Sequence, residues 1–277
     1  MRTTFDHLKH YAISGSDGEL GKIKDMYFDD SSWTVRYLVV DTGSWLTGRR
    51  VLLSPESITH IDHLNRIVNV GLSRDRIAEA PSVDAHVPVT RHATLAVDQF
   101  YGWHHTWITG GLIDFQVPTA NYGPLVTPPE MPEEVRAAWD ARRSLDPNLQ
   151  SLADVHGYSV EAADDEHKLA RFQDAIINEA TWRIPYVVVD VGTWFTDKHA
   201  IVPVHRVRHL DANRRRTVLD MPAAVFEAAP KFDGVDTLDE RQESAVIAYF
   251  AEDAARRGLG SSMRPPLARP PFIEERP

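Results

Sequence analysis

A single shift of 149 positions lays the chain on itself. It brings Tyr37-Leu38-Val39-Val40-Asp41 onto Tyr186-Val187-Val188-Val189-Asp190. Without a gap it also pairs Leu20 with Leu169, Asp25 with Asp174, Trp33 with Trp182, Gly43 with Gly192, Trp45 with Trp194 and Thr47 with Thr196. Farther on it pairs Asp62 with Asp211, Ala80-Pro81 with Ala229-Pro230 and Asp84 with Asp233. One offset held over this stretch marks an internally duplicated domain. A chain of 277 residues has room for two domains, each with its own core.

Each copy reads as β structure followed by helix. Alternation and turn residues place strands of the first copy near His7–Ile13, Gly21–Asp29, Val35–Asp41, Arg50–Leu53, Ser57–Asp62 and Ile67–Leu72. The separators "SGSDGE", "DDSSW", "TGSWLTG" and "HLN" are rich in turn formers. Short strands at this spacing point to a small barrel rather than a sandwich. Ser73 as an N-cap and Pro81 as a stop frame a short helix, and "TRHATLAVDQFYGW" is a candidate for another. These signals divide the chain into a first barrel (1–85), a segment of helix, aromatic loop and Pro-rich linker (86–150), a second barrel (151–235) and a C-terminal helix with a Pro-rich tail (236–277). A short helix is expected near Glu133–Arg143. "LDERQESAVIAYFAEDAARRG" is amphipathic, with Ala245, Val246, Tyr249 and Phe250 on its apolar side.

Composition removes several functional classes. The net charge is −10, and "RRR" (Arg214–Arg216) is the longest basic run, which argues against a nucleic-acid surface that tracks phosphates. With no cysteine, disulfides, thiolate catalysis and Cys-ligated metals are excluded. The opening "MRTTFDHLKHYAISG" lacks the apolar core of a secretory leader, and no apolar run approaches the roughly 20 residues of a membrane span. The expectation is a cytoplasmic protein with no integral membrane segment.

The repeated "VVDTGSW" and "VVDVGTW" resemble the catalytic loops of a two-lobed aspartic protease. Such a pair needs a hydroxyl after each Asp to hold two carboxylates around one proton. Thr42 supplies one, but Val191 stands at the other position, so Asp41 and Asp190 are read as strand-ending turn caps. "GSDGELGK" fails as a phosphate loop because Ser16 and Ile23 stand where a phosphate loop has Gly and a hydroxyl residue. "HIDH" (His60–His63) puts His60 and Asp62 on one strand face and would need ligands from elsewhere to hold a metal. We therefore expect no catalytic residue, no cofactor and no metal site.

The densest aromatic stretch is "FYGWHHTWITGG". Its rings either seal the bottom of the first barrel or pack between the two barrels, or form a recognition patch, since Trp and Tyr concentrate at interface hot spots. On the second reading Phe100, Tyr101, Trp103, His104, His105 and Trp107 are candidate partner-binding residues.

The turn Asp17-Gly18-x-x-Gly21, Asp25 on the next strand, Trp33…Arg36-Tyr37-x-Val39-Val40-Asp41, the Trp45–Gly48 turn and "VLLSP" (Val51–Pro55) together resemble a PRC-barrel domain. The second copy is degenerate, with His167 for the turn glycine and Pro185 for Arg36. The resemblance implies a mainly β fold with flanking helices: two small PRC-type barrels related by internal duplication. It also implies a module that docks onto other proteins rather than a catalyst. The expected function is a non-enzymatic interaction or scaffold protein whose partner is another protein, with homodimerisation one option. The alternative, by fold analogy, is a peripheral accessory of a photosynthetic reaction-centre or electron-transfer complex, like the reaction-centre H subunit.

Overall fold

The computed structural model describes residues 1–46, 48–81, 97–103, 149–165, 167–192, 198–233 and 238–256. The chain divides into two units. One comprises residues 3–156 with 177–185, and the other comprises 157–176 with 186–277 and Arg2. The described residues are mostly β, with a few helices.

In the first unit β1 (Arg2–Thr4) leads into α1 (Phe5–Leu8), followed by β2 (Ala12–Gly15), β3 (Gly18–Asp29), β4 (Thr34–Asp41), β5 (Arg50–Leu53), β6 (Ile58–Asp62), β7 (Ile67–Val70) and α2 (Arg74–Ala78). The strand expected over His7–Ile13 is instead α1 and β2. Thr4 caps α1 by accepting from the His7 amide, and Phe5 and Leu8, three apart, bury together. His10, at φ 73°, then turns the chain into β2.

The strands lie in the order β6-β7-β2-β3-β4-β5, with β2 and β7 parallel and the other neighbours antiparallel. Two register shifts bend the 12-residue β3. Among the described residues no ladder joins β5 to β6, so the sheet is an open path rather than the closed barrel the strand spacing suggested. The chain leaves β5 through a 3-10 turn at Pro55–Ser57, where Pro55 has no amide to offer a ladder. Leu8, Tyr11, Ile13, Ile23, Phe28, Leu38 and Val40 are almost fully buried, and Leu38 and Val40 share one face of β4. The other side of β4 is also covered: Tyr37 and Val39 form a cluster with Tyr27, Leu52 and Val97. Burial on both faces explains the unbroken apolar run of this strand.

β8 (Leu149–Ser151) adds to β3 in this unit, followed by α3 (Leu152–Val155). Residues 177–185 belong here too. Arg183 pairs with Thr34, Val35 N donates to Trp182 O at 2.8 Å, and Ile184 N donates to Trp33 O at 2.7 Å.

The second unit holds β9 (Ser159–Glu161), most of β10 (Ala170–Asn178) and β11 (Arg183–Asp190), then β12 (Lys198–Pro203), β13 (Val207–Asp211), β14 (Arg216–Leu219), α4 (Ala223–Ala228), β15 (Lys231–Asp233) and α5 (Glu240–Arg256). Its order, β13-β14-β9-β10-β11-β12, follows the first unit strand for strand, with β9 and β14 parallel and β15 added on β12. Backbone oddities recur as well. Trp33 and Trp182 have φ of 50° and 56°, and Arg66 and Arg215 have 56° and 49°. α5 buries Val246 and Phe250. No described helix is long and apolar enough to cross a membrane.

Candidate functional site

The turn aspartates hold backbone. Asp41 Oδ1 accepts from the Gly43 amide at 3.0 Å, and Asp190 Oδ1 accepts from the Gly192 amide at 2.8 Å. Thr42, the hydroxyl that a protease pair would use, donates to Arg49 O at 2.6 Å. Asp17 in the glycine turn accepts from the Arg74 amide at 2.9 Å, capping α2. Asp164 does the same for the Ala223 amide of α4 at 2.9 Å. Gly21, at φ 143°, crosses so close to β4 that a Cβ would lie 2.1 Å from Asp41 O.

The aromatic segment lies against the first unit. Residues 97–101 are helical. Tyr101 and Trp103 stack with centroids 4.2 Å apart and pack on the Tyr27–Tyr37–Val39–Leu52–Val97 cluster. Arg76 of α2 lies 4.0 Å from the Phe100 ring and also donates to Phe100 O. Burial pushes the Tyr101 phenol up to about 12, against the lowering effect of Arg76 and Arg49. His104, His105 and Trp107 lie outside the described residues, as do the segment 104–148, with its expected helix and Pro-rich linker, and the tail 257–277.

Tyr37 Oη donates to Asp98 Oδ1 at 2.8 Å, tying β4 to this helical segment. Beside the pair, a cleft of about 680 Å³ opens in the first unit. Its walls are 34–37 of β4, the 54–56 turn, 58–61 of β6, Asp98 and the 179–182 turn. Asp29 sits beneath Arg36. Burial would raise this carboxyl, but hydrogen bonds from Ser31, Ser32 and Arg36 outweigh burial and hold it below the usual carboxylate range.

His60 lines the cleft, whereas Asp62 turns to the Asn65 amide. His63 joins a different group. Tyr11 Oη lies 2.9 Å from His7 Nε2 and 3.2 Å from His63 Nδ1, and His63 Nε2 lies 3.1 Å from Glu179 Oε2. Among the described residues no three His, Asp or Glu side chains are grouped to hold a metal.

Sequence reasoning missed Asp98, Glu179 and Trp182 as cleft residues. The equivalence of Tyr37 and Tyr186 was a usable signal, because Tyr186 Oη likewise donates to a helix carboxylate, Glu243 Oε1, at 3.0 Å. Glu179 had no such signal, since its partner His63 is remote in sequence.

No curated protein matches the chain. A family model does match part of it: residues 9–75, which hold β2 to β7 and the first residues of α2, fit the PRC-barrel domain. Residues 9–75 of the first unit thus carry a PRC-barrel domain.

Proposed function

We propose that this chain is a tandem PRC-barrel protein, the second barrel a degenerate duplicate of the first, and that it works as a non-enzymatic, cytoplasmic docking module for another protein. The repeated strand order, the paired positive-φ residues and the paired helix-capping aspartates Asp17 and Asp164 support the duplication. The turn aspartates serve backbone amides, which supports a structural rather than a catalytic use of the repeated loops.

One asymmetry carries the docking reading. Among the described residues, the second unit carries the 17-residue α5, whereas the first unit carries the shorter helical segment 97–101, with the cleft beside it. A concave surface next to a packed aromatic cluster is where a partner can bind with little ordering cost. The first barrel is then the docking unit and the second the structural one.

The test is affinity capture from the native cell with three baits: the unaltered chain, Thr59→Arg on the cleft rim, and Arg208→Glu at the equivalent place on β13. A partner retained by the first and third baits and lost from the second supports the proposal. A protein that turns over a substrate, or a partner set indifferent to both substitutions, contradicts it.

A further inference from the structure

The opening residues of the two copies correspond at an offset of 147. Thr4 and Ser151 cap α1 and α3, and the buried pair Phe5 and Leu8 matches Leu152 and Val155. His10 and Gly157, with φ of 73° and 81°, make the same turn, and Tyr11 and Tyr158 follow it almost fully buried. After the turn each copy keeps to itself: β2 covers residues 18–22 of β3, and β9 covers Ala170 and Arg171 of β10.

Before the turn the copies do not keep to themselves. Residues 149–156 belong to the first unit, and Gly157 begins the second. β8 pairs Ser151, Gln150 and Leu149 with Tyr27, Phe28 and Asp29 of β3. β4 takes the opposite edge of those three residues, so β8 continues the edge that β2 covers nearer the start of the strand. Among the described residues β1, the first copy's own opening strand, forms no ladder with β3.

The first residues of the two opening strands occupy matching places. Leu149 packs on the first-unit cluster that contains Tyr37. Its counterpart Arg2 belongs to the second unit, where it pairs with Glu243, the acceptor of the Tyr186 hydroxyl. Tyr37 and Tyr186 are themselves counterparts. Each residue therefore sits beside the tyrosine of the other copy.

The segment 149–156 is fastened through both backbone and side chains. Ser151 Oγ accepts from the Asp154 amide at 2.9 Å and donates to Asp25 Oδ2 at 2.5 Å. Asp25 Oδ1 accepts from the Ala153 amide at 3.0 Å, and Gln150 Nε2 donates to Asp30 Oδ2 at 3.2 Å. Leu152 and Val155 are almost fully buried. Without this segment the ladder partners of residues 27–29 on that edge of β3 are lost, and an unpaired edge is costly when buried and a hazard when open.

We infer that residues 149–156 are a strap donated by the second copy, and that the strap, not the first copy's own opening strand, completes the β3 edge of the first barrel. The two copies have traded arms within one polypeptide, the intramolecular form of a swapped dimer. The degenerate copy is thus part of what keeps the first barrel intact. The inference rests on the duplication reading above and is independent of any partner.

Hydrogen–deuterium exchange of the full chain tests it, with Ser151→Ala and Val155→Ala as strap variants. Should either fail to fold, Gln150→Ala, which removes only the side-chain bond to Asp30, carries the test. Exchange at residues 26–29 should quicken about fivefold or more in Ser151→Ala, while 159–161 and 170–175 stay unchanged. A rise in the second unit instead, an equal rise in both units or no rise at 26–29 overturns the inference. Val160→Ala, on β9, is the reverse control: it should quicken 170–175 and spare 26–29. If it loosens both units alike, the two-barrel reading fails. If it behaves as expected while the strap variants leave 26–29 unchanged, the strap alone fails.

Discussion

Tyr37 on β4 and Asp98 on the helical segment are joined by a 2.8 Å hydrogen bond, and both are almost fully buried. The bond fastens the aromatic segment to the sheet and forms one wall of the cleft. Tyr37→Phe removes the donor from a buried carboxylate and is expected to cost about 1–3 kcal/mol in chemical denaturation. Tyr186→Phe removes the corresponding bond to Glu243 in the second unit. No loss of stability from Tyr37→Phe would contradict this account.

Gly21→Ala is expected to destabilise by about 2 kcal/mol or more, from both positive φ and the clash with Asp41 O. The duplicate carries Ala170 at this position without a positive φ, so the demand belongs to the first unit alone. Ala170→Gly should therefore be the milder change. Melting temperatures of the two variants decide the point.

The carboxylates Asp29 and Asp25 should respond to pH in opposite senses. Asp29 has a folded pKa below its unfolded value, so its contribution is present above about pH 4 and is lost as pH falls through the folded pKa. Burial raises Asp25 despite hydrogen bonds from Ser151, Ala153 and Met26. Its contribution is complete below the unfolded pKa and declines as pH rises through the folded one. Asp29→Ala should destabilise by about 2–3 kcal/mol at pH 7 and by less at pH 3. Asp25→Asn should flatten the loss of stability just above pH 4. Denaturation midpoints across pH 3–7 test both.

In the second unit Arg206 and Asp253 form a buried pair, with side chains 8% and 12% exposed. Arg206→Ser, which installs the first unit's residue, removes this partner of Asp253 and is expected to cost about 1–3 kcal/mol. Adding Asp253→Ala should recover part of that loss. A double-mutant cycle showing no coupling would mean that the helix does not sit on this turn.

Much of the architecture is legible in the sequence because it is local. β4 and β11 announce themselves through "VVD", the glycine turn through Asp17 and Gly18, and α2 through Ser73, whose hydroxyl accepts from the Arg76 amide. The equivalence of residues 2–14 with 149–161 was hidden because it runs at an offset of 147, as His10 and Gly157 show, with two extra residues in the β9–β10 turn. The grouping of Glu179 and Trp182 with the first unit was not legible either. It depends on long-range contacts, the Arg183–Thr34 pairing and the His63–Glu179 contact among them, which no local pattern encodes. The aromatic loop is intermediate: its composition marked it out, but only the fold shows Tyr101 and Trp103 packed on Tyr37 and Leu52.

Hydrogen–deuterium exchange of the full chain, with and without its captured partner, tests the central claim most directly. The account predicts partner-dependent protection in residues 54–61 and 97–103 of the first unit and none in the equivalent 203–210 of the second. Protection confined to 203–210, or a partner that leaves 54–61 unchanged, would contradict it.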